Sequence, residues 1–217
     1  MNEIVHFHLP RTAGSAMEAH LRKHLENSAI SMRSDHFVWG DIPEHPERVF
    51  FSVLREPIDR GKSLLRYIQD NPSHRKHKRL MELGAAAWLK KFGEISQLSN
   101  GQTRQFVGSA ALGRRLETQD LSFAREILKK RNVIVCTLPD LEFGLKLLSR
   151  RVGINIPNLD QHTNSSTPRS FEADVDVQLR SLNQFDIALY DEVTAHTNRM
   201  KRWWAPKNLL NRFATPN

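Results

Sequence analysis

Two short segments carry residues suited to holding phosphate-type anions. The first, Pro10-Arg11-Thr12-Ala13-Gly14-Ser15-Ala16, follows a β-branched and aromatic run and precedes a helical pattern. A turn that opens a helix presents unpaired backbone N–H groups and the positive end of the helix dipole. Gly14 lets a ligand approach the backbone, Ser15 adds a hydroxyl and Arg11 adds a forked cation. Those residues make an anion cradle, and they fit a structural strand–helix turn with a solvated arginine equally well. The triphosphate-binding pattern G-x-x-x-x-G-K-[ST] is absent. The second segment is Arg55-Glu56-Pro57, followed by Arg60 and Ser63, at the end of the apolar run Val49–Leu54. Arg55 would stand at the carboxyl end of a buried strand, the edge at which open α/β sheets bind ligands. Ser63 falls on the second turn of the next helix, near enough to share one phosphate with Arg55. Arg60 also reads as a surface or salt-bridging residue.

Transfer chemistry at such a site needs a base, and the chain has ten histidines. His6 and His8 alternate on a strand and could face one side; no third metal ligand accompanies them, so a structural role is the expectation. His20 and His24 share a helix face, and His74 and His77 sit in the basic run Ser73–Arg79. His36, in Ser34-Asp35-His36-Phe37-Val38-Trp39-Gly40, lies between the two anion-type segments. By residue type alone it is one of several candidates.

The elements that would position these groups read as follows. Ile4–Leu9, Val49–Leu54 and Asn132–Thr137 are continuous apolar runs of the kind found in strands covered on both faces. Helices are expected from Ser15, with Met17, Leu21 and Leu25 at four-residue spacing, and from Pro57 to about Gln69. Further helices are expected near 121–130, across 140–152 with Gly153 as the stop, and across 184–203. Strands alternating with helices indicate an α/β protein with a parallel central sheet flanked by helices. One domain spanning 1–217 is expected, with a mostly helical insertion at about 72–120 and a basic C-terminal tail at about 201–217.

HFHLPRTAGSAM resembles the phosphosulfate loop of sulfotransferases, H-[IV]-P-K-T-[GA]-G-[ST], and VLREPIDRGKS is similar to their 3′-phosphate motif, R-[DE]-P-x-x-R-x-x-S. The resemblance is greatest to the carbohydrate branch, which includes the heparan sulfate 2-O- and 6-O-sulfotransferases. Asn100-Gly101-Gln102-Thr103-Arg104, CTLPDLEFGLKLLSRRVG and NQFDIALYDEV resemble later segments of that branch, so the likeness extends over most of residues 4–193. It implies a fold related to P-loop nucleotide kinases and 3′-phosphoadenosine 5′-phosphosulfate (PAPS) as the sulfuryl donor, with no metal. Arg11 to Ala16 would hold the 5′-phosphosulfate, and Arg55 and Ser63 the 3′-phosphate. Arg11 takes the place usually held by lysine; Ala13 and Ala16 stand where the family often has glycine and a hydroxyl residue. His36 falls in a segment resembling the H-x-x-[FW] that carries the base, making it the expected catalytic residue beside Arg11. By residue type Gln102 and Arg104 could line the nucleotide or acceptor site or equally serve a helix surface, and the polar stretch Thr163–Arg169, with Arg169, could close over the site, although a plain surface loop is the base expectation. The acceptor implied is a saccharide or glycoconjugate hydroxyl.

Composition bounds the alternatives. The 217 residues carry 32 Lys and Arg against 24 Asp and Glu, a net charge of +8 that calls for an anionic partner without naming it. A single cysteine, Cys136, excludes an internal disulfide framework and agrees with a reducing compartment. With no signal-like start and no long apolar run, a cytoplasmic protein is the expectation, with peripheral membrane contact open to the basic, Trp-containing tail. A related nucleotide-dependent kinase lacks its lysine and metal-binding set here. A nucleic-acid-binding module lacks a motif or stacking platform, so no nucleic-acid partner is expected. A non-catalytic PAPS-binding relative is the remaining alternative.

Overall fold

The computed structural model describes residues 3–94, 97–159 and 171–204. Its centre is a four-stranded, wholly parallel sheet of β1 (Glu3–Phe7), β2 (Ser31–Asp35), β3 (Arg48–Leu54) and β4 (Val133–Thr137), in the order β2-β1-β3-β4. Three of these strands are the continuous apolar runs expected. β2 was not expected: SMRSD has one apolar residue, and its alternating exposure is that of an edge strand with one open flank.

Helices cover both faces, as the α/β reading requires. On one face α1 (Gly14–Leu25) and α7 (Leu141–Val152) bury Met17, Leu21, Leu145 and Leu148 against Ile4, Val49, Phe51 and Val53. On the other, α5 (Gly101–Val107), α6 (Thr118–Leu128) and α9 (Gln184–Trp204) bury Phe106, Leu121, Ile127, Leu189 and Val193 against Leu9 and Leu54. A satellite core joins α2 (Pro57–Asp70) to α3 (His77–Leu83), α4 (Ala85–Phe92) and α8 (Ala173–Leu182) through Leu65, Ile68, Leu80, Leu89 and Leu179. The expected helix ends are present: Pro57 is the first residue of α2, and Gly153 closes α7 at φ 76° with its N–H donating to Ser149 O.

The strand order sets the position of the site. From β1 the chain moves to β2 on one side, then crosses to β3 on the other. The carboxyl ends of β1 and β3 therefore flank a topological switch point, the position of the ligand-binding crevice in open α/β sheets. Both anion-type segments emerge there.

Candidate functional site

The turn after β1 is tightly wound. Thr12 is buried, its hydroxyl donating to Leu9 O at 2.9 Å, so the side chain holds the turn while Arg11, Ala13, Ser15 and Ala16 face solvent. Arg11 and Ala13 have φ of 70° and 65°, a left-handed conformation costing a non-glycine residue about 1 kcal/mol. No side chain caps α1, whose first-turn N–H groups at Gly14, Ser15 and Ala16 stay available to a ligand. At Gly14 a Cβ would lie 1.8 Å from His8 Cδ2; the glycine is required because the His8 ring packs directly on the helix start.

The turn after β3 is held from behind. Glu56 accepts from Asp59 N–H at 2.7 Å and caps α2. Gln102 Oε1 accepts from Arg55 N–H at 2.9 Å while its Nε2 donates to Arg55 O at 3.0 Å, a two-point clamp on the Arg55 backbone. Asp186 accepts from Gln102 N–H at 3.0 Å and from Thr103 N–H and Oγ1 at 2.7 and 2.8 Å. Arg60 is wholly buried behind the turn, its Nη2 3.8 Å from Asp186 Oδ2 and donating to Gln97 O at 2.6 Å. Gly101 leaves room for that guanidinium: a Cβ there would fall 2.6 Å from Arg60 Nη2.

The two turns meet. Arg11 Nε donates to Ser63 Oγ at 3.1 Å, and Arg55 Nη1 donates to Arg11 O at 3.3 Å. The Arg11 guanidinium also lies 5.3 Å from the Tyr67 ring centre. Tyr67 was not foreseen, although four residues after Ser63 it shares that helix face. Burial, and then the neighbouring cations Arg11 and Arg66, make Arg55 a weaker base than a free arginine, with Asp59 opposing. An arriving anion would relieve this crowding of positive charge.

His36 follows β2 and reaches the same crevice. Its Nδ1 lies 2.5 Å from His8 O; because a carbonyl only accepts, Nδ1 carries the proton and the neutral ring keeps its lone pair on Nε2. The rings of His36 and His8 are 4.5 Å apart, and those of His8 and His6 5.9 Å and stacked. His6 is buried, with Nδ1 2.9 Å from Ser34 Oγ, and burial followed by His8 lowers its pKa to about 4. Burial and then His36 also hold His8 below the usual imidazole range, against Glu18 and Asp35. The loop behind His36 is pinned to α5: Gln105 Nε2 donates to Phe37 O at 2.5 Å and Trp39 N–H to Gln105 O at 2.7 Å.

Of the residues expected at the site, Arg11, Ala13, Gly14, Ser15, Ala16, Arg55, Ser63 and His36 converge on the crevice. Three need a different account. Gln102 is fully buried and acts on the Arg55 backbone rather than on a ligand. Arg104 is turned away, its guanidinium donating to the carbonyls of Ser99, Ala111, Arg114 and Glu94. Thr12 offers only its backbone. Arg169 and the stretch Thr163–Arg169 lie outside the described residues, as does the tail beyond Trp204. Asp186 and His8, which position Gln102 and His36, were not singled out as site residues; the signal for His8 is its place two residues before Pro10, at the strand end.

Among the described residues no group of three or more His, Cys, Asp or Glu side chains could hold a metal ion, and no helix is long and apolar enough to cross a membrane. Cys136 is buried behind Gly144, and burial pushes its thiol up to about 12, which makes it inert.

No protein-family model matches the chain, and no curated protein is significantly similar to it. Among solved structures, mouse sulfotransferase SULT7A1 complexed with PAP aligns with 91% of this chain and 85% of its own. Its TM-score of 0.43 and 14% sequence identity are too low to assign residues or activity.

Proposed function

We propose that the chain is a sulfotransferase that moves a sulfuryl group from PAPS to a hydroxyl of a saccharide or glycoconjugate. The observation that carries this reading is the convergence of the two arginine turns at the switch point, linked through Arg11, Ser63 and Arg55. A donor with phosphates at both its 3′ and 5′ positions has use for two such turns. The uncapped N–H groups of α1 and Arg11 suit the 5′-phosphosulfate end, and Arg55 and Ser63 the 3′-phosphate.

The acceptor oxygen attacks sulfur as the bond from sulfur to the bridging phosphate oxygen breaks. His36 Nε2 takes the acceptor proton, its tautomer set by the hydrogen bond from Nδ1–H to His8 O. The leaving 5′-phosphate gathers negative charge, which Arg11 and the N–H groups of Gly14 and Ser15 stabilise. Atoms and charge balance without a metal. Arginine in place of lysine at position 11 suits the reach to Ser63, since its Nε binds the hydroxyl while both Nη atoms remain for phosphate oxygens.

His36→Ala tests the assignment. Transfer of label from ³⁵S-PAPS to a panel of saccharides should fall at least about a hundredfold, while affinity for 3′,5′-adenosine bisphosphate stays within about twofold. Undiminished transfer by the variant would remove His36 as the base. Loss of bisphosphate binding would move it into the donor site.

A further inference from the structure

A second groove lies away from the crevice. It has a volume of about 850 Å³ and runs along the side of β4 away from β3, between α7 on one sheet face and α6 and α9 on the other, with the last turns of α9 reaching α7 at one end through Trp204 on Phe143 and Lys201 to Asp140. Among the described residues β4 pairs only with β3. Phe50 N–H donates to Asn132 O, so strand alternation directs the amide and carbonyl of Val135 to the side away from β3. The strand's own side chains, Val133, Ile134 and Val135, are three β-branched residues left only half-buried. An apolar edge of this kind is a template for another strand unless something blunts or covers it.

The rim states the chemistry of what would cover it. Arg131, Arg150, Arg151 and Arg199 line the groove, and none has a carboxylate partner among the described residues. Arg151 Nη2 donates to Arg131 O and the Arg150 guanidinium lies over the Trp204 ring, leaving both cationic heads on the rim. Glu192, the one acidic residue of the lining, is paired with Arg125. A second copy of the chain would bring the same four arginines face to face across a shared β4 edge. Residues 205–217 follow Trp204 but contain Lys207 and Arg212 and no Asp or Glu, the same sign of charge as the rim.

We infer that β4 is a docking edge for an extended acidic segment of a partner protein, added as a fifth strand. Main-chain pairing at Val135 would supply affinity, apolar residues on alternate positions would fill the groove, and carboxylates would meet the four arginines. This inference is independent of the chemistry assigned to the crevice.

The test uses the full chain and a fluorescein-labelled peptide, Asp-Val-Glu-Val-Asp-Val-Glu, followed by anisotropy. Binding is expected, with the Val135 amide becoming protected from hydrogen exchange. N-methylation of alternate peptide amides in one register should abolish binding, and in the other leave it intact. Arg131→Glu with Arg199→Glu, both exposed positions, should weaken binding about tenfold, and a Lys-Val-Lys-Val-Lys-Val-Lys peptide should not bind. Absence of binding would overturn the proposal, as would indifference to N-methylation in either register. Equal competition by a synthetic 205–217 peptide would assign the groove to the chain's own tail. Concentration-dependent dimerisation abolished by the same double variant would assign it to a second copy.

Discussion

The two turns that form the crevice do similar work by different means. The turn after β1 is shaped locally: a Thr12 hydroxyl holds it, two non-glycine residues sit at positive φ, and most of its side chains are exposed. The turn after β3 is shaped from a distance, by Gln102 on the Arg55 backbone, Asp186 on the start of α5, and a buried Arg60 behind both. Changes at the first turn should alter binding with little effect on the fold. Changes behind the second should unfold the protein before they reveal anything about binding.

The largest effect is expected at Asp186. Asp186→Ala removes three hydrogen bonds and strands a fully buried arginine, with an expected loss of about 3–5 kcal/mol in urea denaturation. A loss below about 1 kcal/mol would mean that the second turn does not depend on this network.

Acid sensitivity follows from His6, which lies beneath the first turn. Its imidazole is near 6.5 when unfolded and about 4 when folded, because burial and then His8 disfavour the cation, with only Glu18 opposing. The unfolded chain therefore binds the proton first. The contribution is constant above pH 6.5, and stability falls as pH drops from there towards 4, by a total on the order of 3 kcal/mol. His8 acts in the same direction. A His6→Phe variant should show a flatter acid limb; an unchanged limb would assign it to other groups.

The smallest effect tests the strain. Ala13→Gly removes the Cβ from a residue at φ 65° and should raise stability by about 1 kcal/mol. A decrease would show that the turn relaxes in solution to a conformation that alanine tolerates.

What could be read from the sequence divides along the same line as the two turns. β1, β3 and β4 were legible because burial on both faces demands continuous apolar runs, and Arg11, Arg55 and Ser63 because they sit next to those runs. β2 was not legible: its pairing with β1, rather than its residues, makes it a strand. α8 was missed for a similar reason, as Val175 and Leu179 are its only buried residues. Gln102 and Arg104 have polar side chains that suit ligand binding, and only burial shows that one clamps a backbone and the other ties four carbonyls. Asp186 lies more than 80 residues from its partners, a separation that no local pattern spans.

The proposed donor site is set apart by its selection of a nucleotide phosphorylated at both the 3′ and 5′ positions. The direct measurement is thermal unfolding of the full chain with 3′,5′-adenosine bisphosphate, AMP or ATP, each at equal concentration. At a hundredfold excess over its dissociation constant the bisphosphate should stabilise the protein by about 2.7 kcal/mol, a rise of about 6 °C in Tm. AMP and ATP should give markedly smaller shifts, and Arg55→Ala should remove most of the difference. Equal shifts for the three nucleotides, or none for any, would contradict that selection.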